Sequence, residues 1–407
     1  MRRWANKAAP DDPGAWVDVG NMWPTKLGTY EVADQYDAGT ALTATGVLVA
    51  SFRVGACFAG MTPSGTARCY VADSHLVGAK TTWEYASGAL TDRTNGVGGI
   101  HQFCQYGNIT IGVRDSATPS STVASTGGNF AALGGGSPSA DICIVQSSAV
   151  VLFSYHDGVT RYTDGWWASD IGDYSTWTPA ASNEAANGRL LETGGAIMAA
   201  CPFKGDVLAF KKGSFYRGHY VGRPLIWEWK LISDQVGCVS RYAVWPCGDL
   251  VIFLAYFDST GGAVVYGYDG ANLRILNPET TFGTSLSVVG EGPFVGYDPQ
   301  NRRAWIAGGT FVGIAPVSYD IDTGRWGQLS SAISAGFVQG EYQAVQNVFS
   351  NNNGTFVPAF KVTANDVITV YAPAAPAAGS VAYVKSHKYG EPEADTFWTR
   401  AIATSPS

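Results

Sequence analysis

The feature that most constrains this chain is a set of short apolar runs that return at a long step. They are rich in β-branched and aromatic residues and are bounded by Gly, Asp, Asn and Pro. Examples are Val47-Leu48-Val49-Ala50-Ser51-Phe52, Val150-Val151-Leu152-Phe153-Ser154-Tyr155 and Leu250-Val251-Ile252-Phe253-Leu254-Ala255. Such runs between turn residues read as strands. Asp157-Gly158, Lys204-Gly205-Asp206, Asp269-Gly270 and Asn353-Gly354 supply the positive φ that tight hairpins need. Comparable central runs begin near Val47, Ile109, Val150, Val207, Leu250, Ala304 and Thr355, a mean step of about 51 residues. Repeats of that order with several strands apiece mark β-propeller blades, four-stranded sheets packed radially around a channel. The step predicts an all-β fold, a β-propeller of six to eight four-stranded blades, with seven as the central value. Residues 47–370 form the propeller, 1–46 an N-terminal segment that closes the ring of blades, and 371–407 a C-terminal linker with closing strands.

Composition excludes the main rivals. Apolar residues are 46% of the chain and charged residues 14%, which is the reverse of a disordered segment. Gly is 50 of 407 residues, about 12% against a usual ~7%, without a collagen period. The net charge is −7, and basic residues stand in isolated pairs such as Lys211-Lys212 and Arg302-Arg303. A protein that grips nucleic acid by its phosphates needs a basic stripe. Low charge with abundant aromatics is the composition of surfaces that meet other subunits. The seven cysteines, Cys57, Cys69, Cys104, Cys143, Cys201, Cys238 and Cys247, form no C-x-x-C pair and sit mostly in apolar runs. They read as buried reduced thiols made in a reducing compartment. Met1–Pro10 carries no apolar signal-peptide core, and no run is long enough for a membrane helix.

Three local readings depart from plain strand character. Ser182–Leu191 is the one stretch with helical character. Residues 116–140, rich in Ser, Thr, Gly and Ala, read as a long surface loop, and Ala372-Pro373-Ala374-Ala375-Pro376 as a second. Ala304-Trp305-Ile306-Ala307-Gly308-Gly309, then Tyr319-Asp320, Thr323-Gly324 and Trp326, is similar to a kelch-type blade. There Asp and Thr close a hairpin and the Trp packs between blades. With one such blade, the pattern speaks for the architecture; a cytoplasmic kelch-like interaction module needs several.

No catalytic, cofactor-binding or metal-binding residue is assigned. The histidines His75, His101, His156, His219 and His387 lack zinc-site or triad spacing. Asp320-Ile321-Asp322-Thr323-Gly324 lacks the ligand register of a calcium loop and reads as a hairpin. A propeller glycosidase of the sialidase type carries repeated Ser-x-Asp-x-Gly-x-x-Trp boxes, an Arg cluster and a Tyr–Glu pair. Ser169-Asp170-Ile171-Gly172-Asp173 with Trp177 approaches that box but departs from its spacing. A carboxylate pair for glycoside cleavage meets only in three dimensions.

The middle of the chain resembles the β-propeller tail nozzle or tail hub (packaged-DNA stabilisation) proteins of short-tailed phages. The likeness rests on Ser169-Asp170-Ile171-Gly172 with Trp177-Thr178-Pro179, Asn183-Glu184-Ala185, Gly188-Arg189-Leu190, Gly205-Asp206-Val207-Leu208-Ala209-Phe210-Lys211, Tyr220-Val221-Gly222-Arg223-Pro224, Trp227 and Gly237-Cys238-Val239-Ser240. Asn21, Pro24 and Gly28 are similar to the opening of such proteins, and the likeness covers residues 165–330. It implies a non-enzymatic structural virion protein without cofactor, made and assembled in the host cytoplasm. It implies a homo-oligomeric ring, six copies in the family, below the portal and adaptor and touching other tail proteins. Genome DNA then passes through the ring without tight binding, and a near-neutral or acidic lumen lets a polyanion slide. The alternative is a carbohydrate-binding or carbohydrate-cleaving propeller, such as a receptor-binding tail protein.

Overall fold

The computed structural model describes residues 16–20, 22–24, 30–32, 35–37, 54–61, 67–73, 82–86, 89–93, 100–114, 121–125, 128–256, 263–276, 294–298, 302–307, 317–328, 359–362, 368–374, 382–386 and 399–401. Among them every regular element is a strand. The N-terminal segment gives β1 (Trp16–Gly20), β2 (Met22–Pro24), β3 (Tyr30–Val32) and β4 (Gln35–Asp37). Six groups of four follow. They are β5 (Val54–Met61), β6 (Ala67–Asp73), β7 (Thr82–Ala86) and β8 (Ala89–Asp92); β9 (Ile100–Tyr106), β10 (Ile109–Arg114), β11 (Ser121–Ser125) and β12 (Ala131–Ala132); and β13 (Ser139–Gln146), β14 (Ala149–His156), β15 (Arg161–Ala168) and β16 (Ala186–Arg189). Then come β17 (Ile197–Phe203), β18 (Asp206–Lys211), β19 (Phe215–Gly222) and β20 (Ile226–Ser233); β21 (Val244–Cys247), β22 (Leu250–Tyr256), β23 (Ala263–Tyr268) and β24 (Leu273–Ile275); and β25 (Phe294–Asp298), β26 (Arg303–Ala307), β27 (Val317–Asp320) and β28 (Trp326–Gln328). The chain continues with β29 (Ala359–Val362), β30 (Ile368–Ala374), β31 (Ala382–Ser386) and β32 (Thr399–Ala401).

Each group of four is an antiparallel meander; five are four-stranded sheets and the sixth is the core of a six-stranded one, here blades 1 to 6. The first strands of successive blades lie side by side: β5 by β9, β9 by β13, β13 by β17, β17 by β21, and β21 by β25. A further three-stranded sheet, β29–β30–β4, touches β5 through β29 and stands as blade 7. The fold is a β-propeller, with seven sheets placed in this succession among the described residues. β2 adds to the outer edge of β28, with β3 beyond it, and β1 pairs with β31. The N-terminal strands therefore complete sheets begun late in the chain.

The second strand of a blade is covered on both faces by neighbouring blades, so it is apolar throughout. β18 is buried along its whole length, and β14 and β22 all but their last residues. Side chains of successive residues point to opposite faces. In blade 4, Leu208 and Phe210 enter the core shared with blades 5 and 6, while Val207 and Ala209 enter the one shared with blade 3. A third core, with Ile111, Leu152 and Trp177, joins blades 2 and 3. Each fully buried large side chain stabilises by about 1.5–3 kcal/mol.

The central runs at Ile109, Val150, Val207, Leu250 and Ala304 fall on second strands, β10, β14, β18, β22 and β26. The runs at Val47 and Thr355, and Asn353-Gly354, lie outside the described residues. Three expectations are corrected. Ser182–Leu191 is not helical: Ala186–Arg189 is β16, paired with β15. Gly188 lies across from Trp166, and a Cβ there would come 3.0 Å from the indole, so the residue that weakens the helix is one the sheet requires. Residues 116–140 hold two strands, β11 on β10 and β12 on β11, followed by a turn of three positive-φ glycines, Gly134 to Gly136. Ala372–Ala374 is the end of β30, paired with β4 through Pro373↔Tyr36; a proline is tolerated in a short strand of this kind.

Meander topology sorts the connections. Turns between strands 1 and 2, and 3 and 4, fall on one face (the lower). Turns between 2 and 3, and the links between blades, fall on the other (the upper). Lower-face loops tie neighbouring blades together. Tyr106 packs on Tyr174 at 5.5 Å, and the Arg223 guanidinium donates to the Ala181 carbonyl. Lys204 Nζ donates to Asp269 O at 2.9 Å, and Arg302 bridges Asp249 at 3.0 Å and Asp322 at 2.8 Å.

Candidate functional site

The largest polar constellation lies where the upper face meets the axis, and two bulges create it. In the β9–β10 ladder Gln102 opposes Val113 and Ile100 opposes Arg114, so His101 has no opposite residue. A bulged residue is left out of the ladder and turned to other partners. The His101 carbonyl accepts the Tyr242 hydroxyl, and His101 Nε2 donates to the Asp141 carbonyl at 2.7 Å. The second bulge is at Ser154, where β14 breaks register against β15 and φ is 51°. Ser154 lies across from Asp141 and donates its Oγ to Asp141 Oδ2 at 2.5 Å. The Arg161 guanidinium binds the same carboxylate oxygen, and Arg241 Nη1 donates to Asp141 O at 3.3 Å.

These residues come from different blades. His101 is on the first strand of blade 2 and Asp141 on that of blade 3. Arg241 and Tyr242 belong to the link that leads into blade 5. Two blades stand between His101 and Tyr242, so their bond crosses the axis. Tyr242 is buried, and its own carbonyl accepts Val295 N of blade 6 at 2.8 Å. Near the axis, side chains from the link into blade 5 thus bond the first strands of blades 2 and 3. A channel mouth is where a propeller offers concavity to a small ligand.

Ser154 donates to a carboxylate that Arg161 also binds, and His101 directs Nε2 to a carbonyl. The hydroxyl, the carboxylate and the carbonyls satisfy one another, as buried polar groups must. A second buried group closes the upper face further out. Lys211 Nζ donates to Leu190 O at 2.6 Å and Thr193 O at 2.5 Å, and burial lowers its pKa. It ties blade 4 to the link leaving blade 3.

The sequence-level candidates fall into structural roles. Ser169 Oγ accepts Val150 N at 3.0 Å. Asp170 Oδ1 accepts Ile171 N and Glu184 N, and Asp173 caps Ser175 and Thr176. Trp177 is fully buried between blades 2 and 3. Asp320 Oδ1 accepts both the N–H and the hydroxyl of Thr323, a hairpin closure, and Trp326 Nε1 reaches Leu276 O of blade 5. His156 Nδ1 accepts Gly158 N, and His219 Nδ1 bonds Asp206 at 2.5 Å. His75 and His387 lie outside the described residues. Cys104, Cys143, Cys201, Cys238 and Cys247 are free and buried; burial raises the thiol pKa of Cys238 to about 12 and raises those of Cys201 and Cys247 as well. The side chains of Cys57 and Cys69 are outside the description.

A Tyr–Glu pair does form, on the lower face rather than in the channel. Tyr220 donates to Glu184 Oε2 at 2.5 Å, which raises the Tyr220 pKa, and Arg223 stands 3.9 Å from the same carboxylate. Of the axial residues, sequence reasoning weighed only His101. Arg241-Tyr242, just before the first strand of a blade, was the available signal for the rest.

No family model and no curated protein matches the chain. It is similar in structure to PorZ, a bacterial surface component of the type-IX secretion system of Porphyromonas gingivalis, with 12% identity and a TM-score of 0.42. That likeness covers 87% of this chain and 43% of PorZ, so the chain spans less than half of that protein. The β-propeller domain of the Trilobed protease from Pyrococcus furiosus is similar at 9% identity and a TM-score of 0.42, over 83% of this chain and 99% of that one. The Pan2 WD40 domain of Neurospora crassa is similar at 8% identity and 0.45, over 78% and 89%. Among the described residues no helix is long and apolar enough to cross a membrane.

Proposed function

We propose that this chain is a non-enzymatic structural subunit of a phage virion, a tail nozzle or hub protein below the portal and adaptor. It stands in a ring of six copies whose shared lumen conducts the genome. The observation that supports the reading is the pair of bonds across the axis, Tyr242–His101 and Arg241–Asp141, which we take to fill the axial mouth. A propeller filled at its axial mouth acts through its outer surface. DNA then runs through the lumen between copies, not through any one propeller. Charge supports this: at −7, with 14% charged residues, the chain suits both subunit contact and a lumen that does not hold DNA. A ring contact is heterologous, one face of each copy meeting a different face of the next. The resemblance across residues 165–330 supplies the virion assignment, including assembly in the host cytoplasm.

The test is to measure the assembled mass of the full-length chain and to look for the chain in purified particles. A closed ring recovered with portal and tail proteins supports the reading. A stable monomer absent from particles overturns it. A glycan array with strong hits would instead favour the carbohydrate-binding alternative.

A further inference from the structure

Among the described residues the fourth strands of the blades are short, with one exception. β8 has 4 residues, β12 2, β16 4, β24 3 and β28 3, whereas β20 has 8. Short edge strands are how sheet proteins avoid pairing with other chains, and a long one is a template for it. Among the described residues β20 pairs on one side only, with β19. The molecule already uses strand addition at outer edges: β2 is laid antiparallel on β28, and β4 on β30.

We infer that β20 is a self-association edge, on which a second copy of this chain lays its own β20 antiparallel to make one continuous sheet through two blades. The register follows from charge. Residues opposite one another across an antiparallel pair lie on the same face, so a two-fold contact centres on a residue. With Trp229 on the two-fold, Glu228 stands opposite Lys230 of the second copy, and Lys230 opposite its Glu228. Shifting the centre by one residue either way sets Glu228 against Glu228 or Lys230 against Lys230. Opposite charges facing across strands stabilise and like charges destabilise. Both side chains are exposed, and both point away from the face that holds Trp227 and Trp229 against blade 3. The same register sets Trp227 opposite Leu231 and Ile226 opposite Ile232, so apolar residues meet apolar residues along the strand. This isologous contact is separate from the heterologous contact that closes a ring.

The test is a charge-swap series on the full-length chain, read by sedimentation velocity and native mass spectrometry. The wild type is expected to show a two-fold contact that each single substitution, E228K or K230E, breaks by placing like charges across the axis. The double substitution E228K/K230E is expected to restore it. An equimolar mixture of the two single variants should form the mixed pair although neither pairs with itself. Both positions are exposed, and circular dichroism of each variant checks that the fold is kept. A wild-type monomer at tens of micromolar, or association that all three variants leave unchanged, overturns the inference. A six-copy ring untouched by the swaps overturns this edge contact while leaving the ring reading standing.

Discussion

Replacing Tyr242 by Phe isolates the bond that crosses the axis. The hydroxyl donates to the His101 carbonyl, which the β9 bulge has taken out of its own ladder. Tyr242 is buried and its ring stays in place in the variant, so no cavity opens and packing is unchanged. What remains is a buried carbonyl without that donor, a loss of about 1–3 kcal/mol. For chains of 150–250 residues each kcal/mol moves the thermal midpoint by ~2–4 °C, and less for a longer chain, so melting is a blunt readout. Amide hydrogen exchange is sharper. Openings that separate β9 from the link at Arg241 should become about 5- to 150-fold more frequent, while the ladder of β22 should hardly change. Tyr220→Phe is the control, because its hydroxyl bonds Glu184 on the half-exposed lower face and its removal should cost less. If Tyr242→Phe exchanges like the wild type across β9 and β13, the bond is not made and the axis is not closed there.

Three further outcomes follow from the geometry. Gly135→Ala should unfold the junction of blades 2 and 3, because φ is +63° and the added Cβ would fall 1.7 Å from the Ser175 carbonyl oxygen; soluble yield and thermal midpoint should drop sharply, and wild-type behaviour would contradict it. Stability should fall with acid below about pH 4, the unfolded carboxylate range. Asp164 is held low by the Arg189 side chain, Asp173 by Ser175, and Asp269, at about 2, by the Asn272 backbone N–H. With folded pKa values below the unfolded ones, their contribution is complete above pH 4 and is lost as pH falls toward 2; a urea midpoint flat from pH 5 to pH 2 would refute this. Finally, Cys104, Cys143, Cys201, Cys238 and Cys247 should resist alkylation at pH 8 until the chain unfolds, as read by peptide mapping; fast labelling in the native state would place them at the surface.

What could be read from the sequence is what burial on both faces imprints. β14, β18 and β22 are apolar runs because a blade covers each side, and so their spacing gave the propeller. Outer strands carry a weaker mark. At β16, Glu184-Ala185-Ala186 suggests a helix, and only the Trp166 ring across the sheet explains Gly188. At β11 and β12 the ladder to β10 overrides a Ser- and Ala-rich composition that reads as loop. The axial cluster left almost no trace. His101 and Tyr242 are 141 positions apart, and Asp141 and Arg241 100 apart. The bulges that aim His101 and Ser154 depend on register, and register is a property of paired strands rather than of either one.

The most direct test of the whole account is a cryo-electron-microscopy reconstruction of the assembled full-length protein. The account expects several copies around a shared lumen, each a seven-bladed propeller with density joining Tyr242 to His101 across its axis. Isolated propellers with an open axis would contradict it.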